Sequence, residues 1–466
     1  MLTKTSEKPK WIRDAIFYQI FPDRFYNGNL KNDPKNKVSW GSPPTRNNFF
    51  GGDLVGIKEK IPYLKKLGVN AIYLNPIFEA GTNHKYDTWD YYNIDPLFGN
   101  EKSLRSLLRE AHKLNIRIIL DGVFNHCGDG FWAFKDVKTK GINSKYFNWF
   151  KIYGDKISLN PLNYQTAGNT KYLPKLNHED PLVEEYILQV AEYWSKKFKI
   201  DGWRLDTPWK VKRSFWKKFR LRIKQINPEL YLVGEVWHDA QPWILGDTFD
   251  GVMNYRLREQ IINFFIKDRM DAEDFNYEIA HFLKIYNKNA YSLLNLISSH
   301  DTPRILTMAR KNISKLILAI TFLMTYIGAP MIYYGDEIGI EGGDDPDCRR
   351  TMVWDENLWN KRIYYTYKKL IDFRLKHKAL RRGNFKPILT LNKLYTYIRK
   401  DEDDEVIVIL NVAEKQIGIK LPLKEISSPN KNWKDIFTGK KFKVFNNNLI
   451  IDEIPACSSF VLESDG

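Results

Sequence analysis

The sequence predicts a (β/α)₈ barrel followed by an all-β C-terminal domain, and three observations carry this prediction. Short apolar segments rich in β-branched or aromatic residues recur eight times along the chain up to Glu337. Most of them are followed by stretches with helical periodicity, and buried strands that alternate with helices are typical of a parallel sheet covered by helices. After about residue 385 the pattern changes to alternating strands, which indicates a separate β domain.

The predicted barrel strands span residues 15–21, 69–76, 116–126, 201–206, 231–237, 249–255, 293–301 and 330–337. Eight such strands favour a closed barrel over an open sheet. No GxGxxG follows the first strand and the chain has no GxxxxGK[ST], which argues against a nucleotide-binding fold. One amphipathic segment between strands shows the helical spacing clearly: its apolar face comprises Leu104, Leu107, Leu108, Ala111 and Leu114.

The interval between the third and fourth strands is much longer than the next one. Its middle is rich in Asn, Gly and aromatic residues, shows little helical pattern and is too long for a plain loop, so we predict an inserted domain. The predicted domains are residues 1–126 for the first part of the barrel, 127–178 for the insertion, 179–384 for the second part of the barrel and 385–466 for a β-sandwich.

The formal net charge is +16, from 72 Lys and Arg against 56 Asp and Glu. Acids and bases interleave along almost the whole chain, and there is no RNA-binding signature, zinc-finger spacing or basic arm. A lysine-rich solvated surface therefore explains the charge better than a nucleic-acid site.

The cysteines Cys127, Cys348 and Cys457 are odd in number and far apart, which suits a reducing compartment. The N-terminal segment lacks the apolar core of a signal peptide, and no apolar run has the length of a membrane helix. We expect a cytoplasmic protein without membrane or nucleic-acid partners, either a monomer or an oligomer of a size that the sequence leaves open.

Polar side chains fall at the C-terminal ends of the predicted strands, where barrel enzymes place their catalytic groups. Taken singly, each fits a structural role, since a buried Arg–Asp pair commonly satisfies a core. Carboxylates at the same end of three different strands would instead converge on one cleft, at a cost in stability that structure alone does not explain. The residues are Asp87 after strand two, Asp121, Asn125 and His126 on strand three, Arg204 and Asp206 on strand four, Glu235 on strand five, His300 and Asp301 on strand seven, and Asp336 and Glu337 on strand eight.

Convergent carboxylates without a nucleotide loop suggest two chemistries. Metal-assisted hydrolysis in amidohydrolase barrels needs HxH on the first strand, which here reads FYQIFPDRF. Glycoside hydrolysis pairs a carboxylate with a carboxylic acid about the anomeric carbon. Aromatic side chains near the strand ends favour a sugar, because they stack on its C–H faces; they are Tyr86, Trp203, Trp209 and Trp237.

Four motifs, DGVFNH, GWRLD, GEVWH and SSHD, resemble the signature regions of the α-amylase superfamily of glycoside hydrolases. Further stretches, among them QIFPDRFYNGN, NHKYDTWDYYNIDP, LPKLN, GDTFDGVMNY and YYGDEIGIEGGDDPDCRRTMVWD, are similar to its neopullulanase, cyclomaltodextrinase and maltogenic amylase branch. The resemblance runs from about Trp11 to the end of the chain. It implies a retaining hydrolase of α-1,4-glucosidic bonds in maltodextrins or starch, with cyclodextrins and pullulan as further substrates and with transglycosylation.

The resemblance also implies a role for each residue of the site. Asp206 would be the nucleophile, and Glu235 the general acid that stays protonated until it serves the leaving oxygen, then the base. Arg204 would keep Asp206 ionised by charge pairing. Asp301 would hold sugar hydroxyls and favour the distorted ring. The other substrate-binding residues would be Tyr86 stacking beneath the glucose, His126 and His300 on its hydroxyls, Asp345 and Arg349 further along the non-reducing side, and Trp209.

A structural calcium site is implied by the loop NGNLKND together with FFGGD. Side-chain and carbonyl oxygens at this spacing suit a hard cation, although an Asx-rich turn capped by its own side chains is the alternative. Asn29 stands where the family often has an acid, which lowers the charge of the site. The predicted ligands are Asn27, Asn29, Asn32, Asp33, the Gly51 carbonyl and Asp53.

The sequence departs from the branch in two ways. The barrel begins near Trp11, without the N-terminal β domain of the branch, so we expect that its dimer mode is unavailable and the cleft more open to long glucans. After Asp206 the chain reads TPWK where the branch has VANE, so the acceptor preference stays open, and Trp209 either stacks on a sugar or packs the loop.

Two alternatives remain beside a hydrolase. One is a 4-α-glucanotransferase, or a sucrose- or trehalose-active relative, with the same three carboxylates. The other is a non-catalytic carbohydrate-binding homologue; such chains typically lose a catalytic acid, and this one retains all three.

Overall fold

The computed structural model describes residues 7–402, 404–423 and 432–465. Of the strands before residue 384, eight close into a barrel in the order β1-β10-β9-β8-β7-β6-β5-β2, while β3 and β4 form an antiparallel pair. Seven of the predicted strand ranges contain one of the eight and the last, 330–337, overlaps β10, so the barrel prediction is confirmed. The strands are β1 (Phe17–Ile20), β2 (Ala71–Leu74), β3 (Phe78–Ala80), β4 (Thr88–Ile94), β5 (Arg117–Gly122), β6 (Gly202–Leu205), β7 (Tyr231–Val236), β8 (Gly251–Asn254), β9 (Leu294–Asn295) and β10 (Ala329–Tyr333).

The barrel strands are short and buried along almost their whole length, as their continuous apolar runs predict. Every residue of β1, β2, β6, β7, β8, β9 and β10 is buried. The pairs β1–β2, β2–β5, β5–β6, β6–β7 and β9–β10 are parallel. Parallel pairing points the C-terminal ends of β1, β2, β5, β6 and β7 in one direction, which brings the polar residues at these ends to the same edge of the sheet.

The helices follow the predicted periodicity. In α3, Asn100 accepts hydrogen bonds from the N–H groups of Lys102 and Ser103, and the apolar positions from Leu104 to Ala111 are buried, whereas Leu114 lies just beyond the helix. The helices are α1 (Pro22–Phe25), α2 (Leu54–Leu67), α3 (Glu101–Lys113), α4 (Trp132–Lys140), α5 (Pro181–Phe198), α6 (Arg213–Ile226), α7 (Tyr255–Ile261), α8 (Ala272–Tyr286), α9 (Ile305–Met308), α10 (Ile313–Thr325), α11 (Lys361–Lys376) and α12 (Lys378–Arg382).

No helix within the described residues has both the length and the apolar character needed to cross a bilayer.

The chain folds as two compact units. One comprises Phe17–Met253 with Asp344–Trp354 and the first ten residues, and the other comprises Trp11–Ile16, Asn254–Gly343 and Asp355–Gly466. This division cuts across the domain boundaries expected from the sequence, which stay a prediction.

The segment between β5 and β6 contains one helix that the sequence pattern did not indicate. Helix α4 (Trp132–Lys140) buries Ala133, Phe134 and Val137 on one face, and its short length hides the periodicity. Isolated antiparallel bridges join distant parts of the segment, including Phe150 to Leu176. The part of this segment before α5 is therefore ordered by isolated bridges and short helices and not by long elements.

The C-terminal region is all-β, as predicted. One sheet has the order β11-β12-β13-β19-β15-β16 and a second the order β14-β18-β17. Both sheets contribute to a single hydrophobic core, in which Ile407 and Leu462 of the first accompany Leu421 and Ile451 of the second. The strands are β11 (Asn384–Leu391), β12 (Leu394–Asp401), β13 (Asp404–Asn411), β14 (Ile417–Pro422), β15 (Asn432–Asp435), β16 (Lys441–Phe442), β17 (Val444–Phe445), β18 (Asn448–Ile454) and β19 (Ser458–Asp465).

Candidate active site

Arg204 lies at the centre of the candidate site and is completely buried. Its Nη1 donates to Asp121 Oδ1 at 2.9 Å and to Asp206 Oδ1 at 3.0 Å, and its Nη2 lies 3.0 Å from Glu235 Oε2. One guanidinium thus gathers carboxylates from β5, from the residue after β6, and from β7. The alternation of side chains along a strand explains the pair Arg204 and Asp206, because residues two apart share a face.

The charges of this cluster are strongly coupled. Burial would lower the pKa of Arg204, but Asp121 and Glu235 outweigh it and raise that pKa well above its usual value, so the guanidinium stays charged. Burial raises the pKa of Asp121, against the opposing effects of Arg204 and of the hydrogen bond from Tyr73. Asp206 and Glu235 are also buried. A single cation therefore faces three buried carboxyl groups.

Tyr86 is held through hydrogen bonds of its hydroxyl, and its ring lies 5.8 Å from the His84 ring and 5.9 Å from the Arg204 guanidinium carbon. That hydroxyl donates to Asp121 Oδ2 at 2.9 Å and accepts from Asn75 Nδ2 at 3.0 Å. Tyr73 donates to the same Asp121 oxygen at 2.5 Å. Sequence reasoning missed Tyr73 and Asn75; their position at the C-terminal end of β2 was the signal that could have found them.

Glu235 forms an ion pair with Arg204 and accepts hydrogen bonds from two further groups. Trp237 Nε1 donates to Oε1 at 2.8 Å and the Thr207 N–H donates to Oε2 at 3.0 Å. The Thr207 hydroxyl also donates to Asp206 Oδ2 at 3.1 Å. Thr207 was noticed in the sequence only as a departure from the family pattern, and its two contacts were not predicted.

The predicted stacking aromatics divide into two groups. Trp237 is 40% exposed, and Trp209 is half-buried with its ring edge-on to His238 at 5.5 Å. Trp203 is instead completely buried, donates to the Ser195 hydroxyl at 3.1 Å and packs on Phe124. The expectation that Trp203 favours a sugar is wrong, because the residue next to Arg204 on a strand faces the opposite side.

Two histidines of the first unit are neutral near pH 7. Burial lowers the pKa of His126 to about 4. Burial also lowers the pKa of His84 to about 3, with further contributions from Arg349 and Lys85. Neutral imidazoles can both donate and accept hydrogen bonds, which suits sugar hydroxyls. His84 was not among the predicted site residues.

Three further predicted residues of the first unit have contacts close to them in the chain. Arg349, which is buried, and Asp345 form an ion pair at 3.0 Å, four residues apart in the chain. Asp87 is buried and accepts hydrogen bonds from the N–H groups of Gly81 and Thr82, so it shapes its own loop.

In the second compact unit, His300 is buried and its Nε2 lies 3.0 Å from Asp301 Oδ2. The Asp301 side chain keeps 30% of its surface exposed. Asp336, also expected at a strand end, is buried against Arg304 at 2.9 Å, which is a structural ion pair within this unit.

The predicted calcium loop brings most of its residues together. Asn27 Nδ2 donates to Asp33 Oδ1 at 2.6 Å, and a Cβ placed on Gly51 would lie 2.4 Å from the same oxygen, so only glycine fits there. Asp33 also pairs with Lys37, and Asn29 Oδ1 accepts from the Lys31 N–H. Three oxygens of the loop are buried without a hydrogen-bond partner, and these are Asn27 Oδ1, Asn32 Oδ1 and Asp53 Oδ2.

A closed barrel with acids at its strand ends around one arginine fits a hydrolase of the glycosidase class, and the comparison with known families shows this class. The α-amylase catalytic-domain model matches residues 19–359 and the cyclo-malto-dextrinase C-terminal-domain model matches residues 389–463. The chain belongs to the α-amylase family of glycoside hydrolases, as the four motifs predicted.

Its relatives include a cyclomaltodextrinase of Thermoanaerobacter pseudethanolicus, 47% identical over 411 residues, which cover 88% of this chain and 72% of the relative. Neopullulanase 2 of Thermoactinomyces vulgaris is 44% identical over 440 residues, 93% of this chain and 75% of the relative. Among solved structures, a cyclic α-maltosyl-(1→6)-maltose hydrolase from Arthrobacter globiformis, in complex with cyclic α-maltosyl-(1→6)-maltose, is 37% identical with a TM-score of 0.90 and matches 98% of this chain and 99% of its own.

Proposed function

We propose that the enzyme hydrolyses α-1,4-glucosidic bonds of maltodextrins and starch with retention of configuration, acts also on cyclodextrins and pullulan, and transfers glycosyl groups as a side reaction. The observation that carries the proposal is the single buried guanidinium that contacts both Asp206 and Glu235. Its two terminal nitrogens are bonded to one carbon, which favours the short carboxyl separation that retaining glycosidases need.

In the proposed reaction Asp206 attacks the anomeric carbon while Glu235 gives its proton to the departing glycosidic oxygen. A water molecule then attacks the glycosyl-enzyme, Glu235 takes the water proton, and Asp206 leaves as a carboxylate. One guanidinium cannot balance three buried carboxylates, so a proton held within the cluster lowers the electrostatic cost. We assign the transferred proton to Glu235 because the departing glycosidic oxygen requires an acid in the first step.

The substrate class rests on relatives whose names refer to cyclomaltodextrins, pullulan and maltose-forming amylases. Asp301, His126 and His300 are proposed to bind hydroxyls of the reacting glucose, with Tyr86 beneath it and the pair Asp345–Arg349 further along the donor side. We place Trp209 with the acceptor sugars, since it follows the nucleophile closely in the chain. A cytoplasmic location is proposed from the sequence and from the intracellular maltogenic amylase among the relatives.

Product analysis separates the hydrolase from the glucanotransferase. With maltotriose, we expect glucose and maltose to form faster than maltotetraose and longer products, and with pullulan and β-cyclodextrin we expect ring or chain cleavage. The measurement is chromatography of all products at low conversion. Longer oligosaccharides appearing first from maltotriose would contradict the hydrolase and favour the transferase.

Calcium would be held by Asn27, Asn32, Asp53 and their loop neighbours, and it would fasten this loop without entering the reaction. The three partnerless buried oxygens support the proposal, since burying a polar atom without a partner is costly. Asp53 also caps α2 by accepting from the Gly56 N–H at 2.6 Å, so the cation would tie the loop to the start of a helix.

We expect 1 mM EDTA to lower the melting temperature by about 2–4 °C, because a ligand bound only to the folded state stabilises it. Asp53→Asn keeps a helix cap but removes the charge, so its melting temperature should not respond to added calcium. Asp180→Asn, at the N-cap of α5, is the matched control and should respond as the unmodified enzyme does. Equal melting temperatures with EDTA and with calcium would contradict the site.

A further inference from the structure

Thr207, the first residue of the TPWK segment, has a backbone conformation that threonine rarely adopts. Its φ of 37° and ψ of 49° lie in the left-handed region, which is strained for a β-branched residue. The following Pro208 is buried, and its carbonyl accepts from Trp216 Nε1 at 2.9 Å. A Cβ on Gly234 would lie 3.4 Å from the Pro208 ring, so the proline packs on β7. The segment is thus anchored immediately after the strained residue.

This conformation places two different groups of Thr207 on the two reacting carboxyls. The N–H donates to Glu235 Oε2 at 3.0 Å, and the hydroxyl donates to Asp206 Oδ2 at 3.1 Å. Arg204 contacts Asp206 through the other oxygen, Oδ1. Strain at a functional site persists when surrounding contacts fix it and when the geometry serves the reaction.

We propose that Thr207 is a positioning residue of the reaction, whose hydroxyl holds Asp206 Oδ2 and whose N–H holds Glu235. This inference rests on the proposed double displacement. In its second step the bond between Asp206 and the anomeric carbon breaks, the carboxylate leaves with the electron pair, and the water oxygen bonds to that carbon while its proton passes to Glu235. A donor on the carboxylate stabilises it as a leaving group, so the Thr207 hydroxyl favours release of the glycosyl group.

The hydroxyl also favours the ionised form of Asp206, so its loss should move the acidic limb of the kcat/KM profile to higher pH. Charged or titratable groups of the same compact unit near Asp206 include Arg204, which contacts it, and Tyr91, and Arg204 in turn contacts Asp121 and Glu235. Substitution of Thr207 retains all of these groups, so a shift of the acidic limb would result from loss of the Thr207 hydroxyl.

Thr207→Val tests the inference, because valine keeps the branched shape and the N–H but lacks the hydroxyl, whereas Thr207→Ser keeps the hydroxyl. With α-maltosyl fluoride, whose departure makes the first step fast, we expect Thr207→Val to lower kcat about three- to tenfold. KM should fall by a similar factor because the glycosyl-enzyme accumulates. The ratio kcat/KM should therefore stay within about twofold of that of the unmodified enzyme. The acidic limb of the kcat/KM profile should move to higher pH by roughly half a pH unit to one pH unit. Thr207→Ser should restore kcat, KM and the position of the acidic limb.

An unchanged kcat and an unchanged acidic limb in Thr207→Val would overturn the inference. A lower melting temperature of Thr207→Val without a shift of the acidic limb would also overturn it. Equal losses of kcat in the valine and serine variants would do the same, because either outcome is expected of a purely structural contact. A failure of the underlying reaction is detected separately. If the Asp206→Asn variant still released fluoride catalytically, the double displacement would be refuted, regardless of the result with the Thr207 variants.

Discussion

Asp206→Asn is expected to lower kcat on maltotriose by about 10⁴-fold or more, because an amide cannot form the glycosyl-enzyme. The substitution keeps the shape of the side chain, and Oδ1 can still accept from Arg204 Nη1. The melting temperature and substrate binding should therefore change little. Release of reducing sugar, measured beside calorimetric binding of maltotriose, checks both parts of the expectation.

Glu235→Gln is the informative comparison for Asp206→Asn. With α-maltosyl fluoride the leaving group needs no proton, so the glutamine variant should keep the first step while the asparagine variant loses it. Asp180→Asn, a helix cap within the same compact unit, should retain full activity on both substrates. Activity of Asp206→Asn near that of the unmodified enzyme would refute the assignment of the nucleophile.

Arg204→Met is expected to destabilise the fold by about 3–5 kcal/mol and to abolish turnover, because it leaves buried carboxyl groups without their cation. Burial raises the pKa of Asp121 and Arg204 opposes this rise, so without Arg204 that pKa should rise further and the protonated form of Asp121 be favoured in the fold. The stability deficit should therefore shrink as the pH falls below about 5 and grow as it rises towards 7. Urea unfolding at several pH values measures it.

The double variant Arg204→Met with Asp121→Asn separates charge from packing. Removing one uncompensated carboxyl should recover part of the stability lost in Arg204→Met, whereas activity should stay absent. The loss of stability in Arg204→Met could instead be independent of pH and unchanged by the second substitution. That result would show that Arg204 contributes by packing alone and would contradict the electrostatic account.

The sequence predicts most of what depends on local pattern. Continuous apolar runs indicate the barrel strands, and the polar residues at their ends are visible because they interrupt those runs. Arg204 and Asp206 follow from strand alternation, since they lie two residues apart. The same alternation should have excluded Trp203, which is next to Arg204 and faces the opposite side.

What the sequence does not predict depends on contacts between distant segments. Asn75 and Tyr73 join the site only because β2 lies beside β5 in the barrel. The conformation of Thr207 depends on the anchoring of Pro208 by Trp216 and by the glycine of β7. A departure from a family motif shows where to look, but it does not show which atoms will meet.

The configuration at the newly formed reducing end tests the central claim most directly. Proton NMR of maltotriose hydrolysis, recorded before mutarotation, resolves the two anomers at the newly formed reducing end. Double displacement through Asp206 and Glu235 predicts that the α-anomer appears first and that the β-anomer grows in only as mutarotation proceeds. Initial formation of the β-anomer would mean a single displacement by water, and it would contradict the role of Asp206 as nucleophile.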